Sequence, residues 1–220
     1  MLASLQRDAY APGLRLSPET VDHLRGLAGA APLRSNRLGE REFRTADVVG
    51  GRLDGEAVVL ATVQGAADDA VVQRVSELPE VRAAVSQYLG YEPQTCRPWL
   101  FWSYAGDYTE QERQAAGQTY FFHYDVFGYN FLYVNYYLTD VTRDRGAHVL
   151  VAGSHDRKPL GMLLGSAIVA EQRVRSTYGA DAIRIIEGPA GTGFVEDTSC
   201  LHLATPPETG DRLMLQFRYA

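Results

Sequence analysis

The 220-residue sequence contains only two cysteines, Cys96 and Cys200. A secreted scaffold of this length would carry more, so the two read as reduced thiols in a cytoplasmic protein. No apolar run approaches the ~20 residues of a membrane span, and Met1 to Pro12 lacks the charged-then-apolar order of a secretory signal. Basic residues are not in excess: 21 Lys and Arg stand against 27 Asp and Glu, a net charge of −6. That balance argues against nucleic acid as the partner, because phosphate binding needs a basic face. There is no internal repeat, low-complexity tract or long charge run. These absences leave a compact globular chain. At this length it buries roughly 70% of its unfolded surface and needs no disulfide to hold a core. One domain over residues 1–220 is expected.

Aromatic residues are plentiful and unevenly placed. Of 23, fifteen fall between Trp99 and Tyr137. Before them, residues 1–93 read as a helical flank. Ser17-Pro18-Glu19 supplies a capping hydroxyl, a first-turn proline and an acid at the positive helix end, with Val21, Leu24 and Leu27 as one apolar face. Further helices are predicted over Asp69–Leu78 and Glu80–Leu89, the latter stopped by Gly90. From residue 94 to 220 the pattern moves towards period 2. Strands are predicted at Gln94–Tyr104, Thr119–Tyr124, Tyr129–Leu138, Val149–Ala152, Ala182–Glu187, Gly193–Glu196, Cys200–Ala204 and Arg212–Tyr219. Eight strands with helices gathered at one end suggest a mainly β jelly-roll or barrel with N-terminal flanking helices. One helical insertion, Gly165–Gly179, interrupts the series as a lid or as a packing helix.

The chemistry gathers on few residues, for there are only five histidines. His123 and Asp125 form a His-x-Asp pair, and residues two apart on a strand share a face. His202, in the short apolar strand Cys200–Ala204, is the candidate third ligand. Two histidines and a carboxylate on one side of a metal, with the other side open, form the facial triad of non-haem Fe(II) oxygenases. A closed structural zinc site would need more Cys or His nearby. Arg212 lies ten residues after His202, across the turn Pro206–Gly210, so both sit near the same barrel end. A buried guanidinium there requires a carboxylate, and no acid near it in sequence has suitable strand parity except Asp211, which belongs to the turn. A bound dicarboxylate meets the need. 2-Oxoglutarate fits, with its oxo-acid end on iron and its far carboxylate on the arginine.

Residues 94–220 resemble the phytanoyl-CoA dioxygenase family of Fe(II)/2-oxoglutarate oxygenases. The likeness is carried by His123-Tyr124-Asp125, by the run Tyr137 to Ala147, by Ala152-Gly153-Ser154-His155, and by His202 with Arg212. The opening Leu16-Ser17-Pro18-Glu19 and Tyr88-Leu89-Gly90 are also similar to family members. The resemblance implies a double-stranded β-helix (cupin-like) core. It implies Fe(II) on His123, Asp125 and His202, and 2-oxoglutarate and O₂ as cosubstrates with Arg212 on the far carboxylate. It also implies hydroxylation of a C–H bond in a small-molecule substrate, with release of succinate and CO₂. Asn135 and Tyr104 are thereby expected beside the cosubstrate, and Tyr124 in the pocket.

The chain departs from the family pattern at Ala204, where many members carry a hydroxyl residue on the cosubstrate, and at His148, where an aliphatic residue is common. Thr205 is the nearest hydroxyl to Ala204, but with opposite strand parity. Tyr133 and Tyr137 share parity with Asn135 and are candidate pocket walls. Arg173 and Arg175 read as solvated helix charges, or as contacts for an acidic substrate group. Two other classes compete: a non-catalytic ligand-binding barrel, and a cupin-type metalloenzyme without 2-oxoglutarate. In the latter, Arg212 would pair with a protein acid.

Overall fold

The computed structural model describes residues 1–220. Its strands are β1 (Tyr10–Arg15), β2 (Leu33–Arg34), β3 (Glu42–Phe43), β4 (Arg52–Leu53), β5 (Glu56–Ala57), β6 (Leu60–Val63), β7 (Cys96–Ser103), β8 (Leu132–Tyr137), β9 (His148–Val151), β10 (Ile183–Ile186), β11 (Thr192–Glu196), β12 (His202–Ala204) and β13 (Arg212–Tyr219). An eight-stranded antiparallel sheet has the order β1-β11-β8-β13-β7-β6-β2-β3, and a smaller sheet the order β10-β9-β12. From β7 onward the chain passes back and forth between the two: β7 and β8 lie in the large sheet, β9 and β10 in the small, β11 in the large, β12 in the small and β13 in the large. This is the double-stranded β-helix.

Helices α1 (Leu2–Asp8), α2 (Pro18–Ala30), α3 (Ala70–Ser76) and α4 (Pro79–Leu89) belong to the first part of the chain. Their boundaries follow local chemistry. Ser17 Oγ accepts the Thr20 N–H at 3.2 Å and Pro18 opens α2. Asp69 Oδ1 accepts the Val71 and Val72 N–H groups at the head of α3. Gly90, at φ 81°, closes α4 in the left-handed region that glycine tolerates. Alternate residues of β13 divide between two environments. Leu213, Leu215, Phe217 and Tyr219 join the large apolar core with Val21, Leu24 and Val85 of the helices. Arg212, Met214 and Gln216 face the space between the sheets.

Three expectations are corrected. The first 93 residues are not only a helical flank, because β1, β2, β3 and β6 extend the large sheet. Two of these strands are two residues long, too short for any periodicity, and β1 carries Pro12 at the sheet edge, where a missing N–H is tolerated. The predicted strand Thr119–Tyr124 reduces to isolated bridges at His123, one to Ile168 and one to His202; in the latter His123 N–H donates to the His202 carbonyl (3.0 Å) and His202 N–H returns the bond (2.8 Å). The insertion Gly165–Gly179 is helical only as α7 (Glu171–Tyr178); α5 (Glu110–Ala115) and the short α6 (Leu160–Leu163) precede it. Ala167 to Val169 instead run beside Phe122–Tyr124, with Val169 N–H on the Phe122 carbonyl at 2.8 Å. No helix is long and apolar enough to cross a membrane.

Candidate metal and cosubstrate site

His123, Asp125 and His202 converge although Asp125 lies outside any strand. The reciprocal backbone bonds between His123 and His202 set their rings 4.2 Å apart, and Asp125 N–H donates to the Thr198 carbonyl at 2.8 Å. Backbone pairing to the strand that carries His202 thus does the work expected of strand parity. His123 Nε2 lies 3.8 Å from Asp125 Oδ1, and His202 Nε2 lies 4.0 Å from Asp125 Oδ2. These separations are too long for hydrogen bonds. Each pair of ligand atoms is within 4.8 Å, so one ion can bridge all three groups.

The second ring nitrogens decide the tautomers. His123 Nδ1 faces the Phe121 carbonyl at 3.1 Å, and His202 Nδ1 the Cys200 carbonyl at 3.0 Å. Each Nδ1 is therefore the donor, and each Nε2 turns a lone pair towards Asp125, the arrangement a metal-binding imidazole requires. Burial pushes the His202 pKa down to about 4, keeping the ring neutral near pH 7. Glu196, Cys200 and His202 also lie close together. They make a poorer donor set, because burial raises the Cys200 thiol pKa and His148 occupies the Glu196 carboxylate.

These groups open on a cavity of about 270 Å³ between the sheets, walled by Trp99, Phe101, Tyr133 and Met214. Arg212 lines the same cavity and is only 4% exposed. It donates through Nη2 to Ser103 Oγ at 2.9 Å and through Nη1 to the Gly146 carbonyl. Its Nε has no partner. Asp211 does not pair with it, since the Asp211 carboxylate accepts the Ala105 N–H at 2.8 Å. Burial without a carboxylate lowers the guanidinium pKa. The site therefore offers a metal-type donor set and a desolvated cation that only neutral protein groups engage.

The structure separates the remaining candidates. Tyr133 lines the cavity. Asn135 is fully buried behind Gln216, its Oδ1 accepting from Gln216 Nε2 at 2.9 Å and its Nδ2 unpartnered. Tyr104 is not at the site. On β7 the inward set is Trp99, Phe101 and Ser103, and Tyr104 has the opposite parity, so it packs in the helix-side core with its hydroxyl on Thr45 Oγ1 at 2.9 Å. Tyr124 likewise points away from its two neighbours, donating to the Met162 carbonyl at 3.3 Å with Lys158 over its ring. Tyr137 is wholly buried, with its hydroxyl on the Ile186 carbonyl. Arg173 is exposed on α7, away from the cavity residues. Thr205 bonds the Ala147 carbonyl at 2.9 Å, capping the turn rather than reaching inward. Sequence reasoning passed over Met214 and Gln216, which strand parity with Arg212 would have found. It also passed over the buried pair of His148 and Glu196, for which the sequence holds no signal.

Fold and site together define a double-stranded β-helix protein with a two-histidine, one-carboxylate cluster opposite a buried arginine. No protein-family model matches the chain, and no curated protein matches it. Solved structures do. AviO1 from Streptomyces viridochromogenes Tue57 aligns over 100% of this chain and 92% of its own, at 16% identity and TM-score 0.60. EctD from S. alaskensis, solved with 2-oxoglutarate and 5-hydroxyectoine, aligns over 99% of this chain and 74% of its own, at 16% identity and TM-score 0.66. The epimerase SnoN, in complex with Fe3+, alpha ketoglutarate and nogalamycin RO, aligns over 99% of this chain and 81% of its own, at 19% identity and TM-score 0.58. At these identities the likeness is one of fold.

Proposed function

We propose that the chain is an Fe(II)- and 2-oxoglutarate-dependent oxygenase of a small organic molecule, of the phytanoyl-CoA dioxygenase type, with hydroxylation as its outcome. The observation that carries this reading is Arg212: a nearly fully buried cation with no carboxylate partner, lining the cavity onto which two neutral imidazoles and a carboxylate converge. A purely structural arginine would be paired, and a cupin-type enzyme without an anionic cosubstrate has no use for the charge. The donor set fits iron, for two imidazoles and one carboxylate leave further coordination positions open. Structural neighbours in this fold are solved with iron and with 2-oxoglutarate, which supports the same assignment.

On this reading His123, Asp125 and His202 hold Fe(II). Bound there with 2-oxoglutarate and O₂, it supplies an oxidation that yields succinate, CO₂ and an oxidised substrate. The chain's own residues do the rest. The Phe121 and Cys200 carbonyls keep each imidazole in the ligating tautomer. Arg212 takes the far carboxylate in a charge-assisted pair, and Ser103 and the Gly146 carbonyl hold its guanidinium in place. Trp99, Phe101, Tyr133 and Met214 present apolar surface that keeps water out and suits a substrate with apolar or aromatic character. The test is anaerobic addition of Fe(II) and then 2-oxoglutarate to the metal-free protein. A visible metal-to-ligand charge-transfer band is expected, and its absence with iron bound refutes the cosubstrate.

A further inference from the structure

We propose that the substrate carries an anionic group, a carboxylate or a phosphate, held by Arg218 and Arg97 at the mouth of the cavity. This names the substrate class for the reading above and rests on it. On the inner face of β13 the side chains run Arg212, Met214, Gln216 and Arg218, about 7 Å apart at each step. The first three line the cavity. So does Tyr133, which lies directly across from Arg218 on β8. Arg218 is therefore the next side chain of the same series, at the end of the cavity away from Arg212. On its other side it is directly opposite Arg97 of β7, two residues before the cavity-wall Trp99. Residues directly opposite in an antiparallel pair share a face, so the two guanidiniums leave the sheet together.

Two like charges in that relation repel, and the protein supplies no acid to offset them. Neither arginine forms an ion pair or donates a hydrogen bond within the chain, and none of their nitrogens is sealed from solvent. Glu196, across from Tyr133, is taken by His148, and Asp125 belongs to the metal cluster. Arg218 is half-buried, its guanidinium 3.6 Å from the centre of the Phe127 ring. Stacking fixes the plane of the cation and leaves its N–H edges free for an anion. Phe127 stands two residues after Asp125, so the same contact ties the cation to the segment that carries a metal ligand. An anion gripped there lays the rest of a small molecule over Tyr133, Trp99 and Gln216, against the metal cluster. Arg218 is six residues, about 20 Å of strand, from Arg212. The substrate anion and the far carboxylate of 2-oxoglutarate thus have separate sites.

The test compares acids with their amides. Phenylacetate, 3-phenylpropionate and 4-phenylbutyrate, each beside its primary amide, are titrated calorimetrically into Ni(II)-loaded protein saturated with 2-oxoglutarate, so that Arg212 is already occupied. Phenyl phosphate is the arm that tells a phosphate from a carboxylate. At least one acid should bind about tenfold or more tighter than its amide, and the advantage should shrink as salt is raised. Arg218→Gln should bring acid and amide within about threefold of each other, Arg218→Lys should keep part of the advantage, and Arg97→Gln should reduce it. The 2-oxoglutarate affinity should hold within about twofold in all three, since Arg212 is untouched. Should Arg218→Gln fold poorly without its contact to Phe127, Arg97→Gln, at an exposed side chain, makes the same comparison. Equal losses of acid and amide in Arg218→Gln assign Arg218 to packing on Phe127 and overturn the proposal. So does a panel in which the acids bind no better than the amides, or in which nothing binds. A parent protein that fails to bind 2-oxoglutarate, yet prefers acids through Arg218, refutes the cosubstrate and supports the anion site.

Discussion

Replacement of Arg212 by methionine separates the two things a buried cation can do. In the unliganded protein the guanidinium is 4% exposed and bonds only Ser103 Oγ and the Gly146 carbonyl, with Nε unpartnered. Loss of those two neutral acceptors' donor costs about 1 kcal/mol each. Against this stands the relief of a desolvated, unpaired charge by an apolar side chain of similar length, which is neutral or stabilising by about 1–4 kcal/mol. The two nearly cancel, so Arg212→Met should change the stability of the ligand-free protein by less than about 2 kcal/mol, or roughly 4–8 °C in Tm. Binding is different. A desolvated charge-assisted pair with the far carboxylate contributes about 2–5 kcal/mol, so the 2-oxoglutarate Kd should rise by roughly 30-fold to several thousand-fold. The assay pairs a thermal melt of the metal-free protein with a 2-oxoglutarate titration of the anaerobic Fe(II) form, read at the charge-transfer band. A large loss of stability with unchanged affinity would show that Arg212 is a structural residue and refute the reasoning.

Two further outcomes follow from particular contacts. Tyr104→Phe should leave 2-oxoglutarate affinity unchanged and lower stability by about 0.5–1.5 kcal/mol, because its hydroxyl bonds Thr45 in the core; a changed affinity would return Tyr104 to the site. Burial raises the pKa values of Tyr88, Tyr104, Tyr136, Tyr137 and Tyr219, and pushes Tyr10 up to about 12, from a usual value of 10.0. The fold favours the neutral phenols, so their contribution is complete below pH 10 and is lost as pH rises from there through the folded-state values. In a 295 nm titration these tyrosines should ionise together with the loss of circular dichroism, and gradual ionisation of a still-folded protein would contradict their burial.

Much of the architecture was readable because it depends on short-range chemistry. Ser17, Asp69 and Gly90 mark helix ends through bonds within a turn of themselves, and the β13 alternation places Arg212 with Met214 and Gln216 whatever the partner strands are. The two expectations that came from the resemblance rather than from parity, Tyr104 and Tyr124, failed for want of that same alternation. Tyr104 follows Ser103 by one residue and so falls on the helix side, and Tyr124 turns outward between two ligands. Short strands such as β2 and β3 exist only because a neighbour pairs with them, so their residues carry no period to read.

The sequence by itself determined the helix caps, the β-rich second half, and the residue types the site has to work with: five histidines, an isolated His-x-Asp, and an arginine short of acidic neighbours. Only the tertiary structure decided how they meet. His123 reaches His202 through two backbone bonds across the sheet, Asp125 is placed by the Thr198 carbonyl, and His148 meets Glu196 from 48 residues away. Each of these contacts joins segments distant in the chain. The low dielectric that makes an unpaired Arg212 and the buried His148–Glu196 pair consequential arises only once both sheets and their aromatic walls have closed over them.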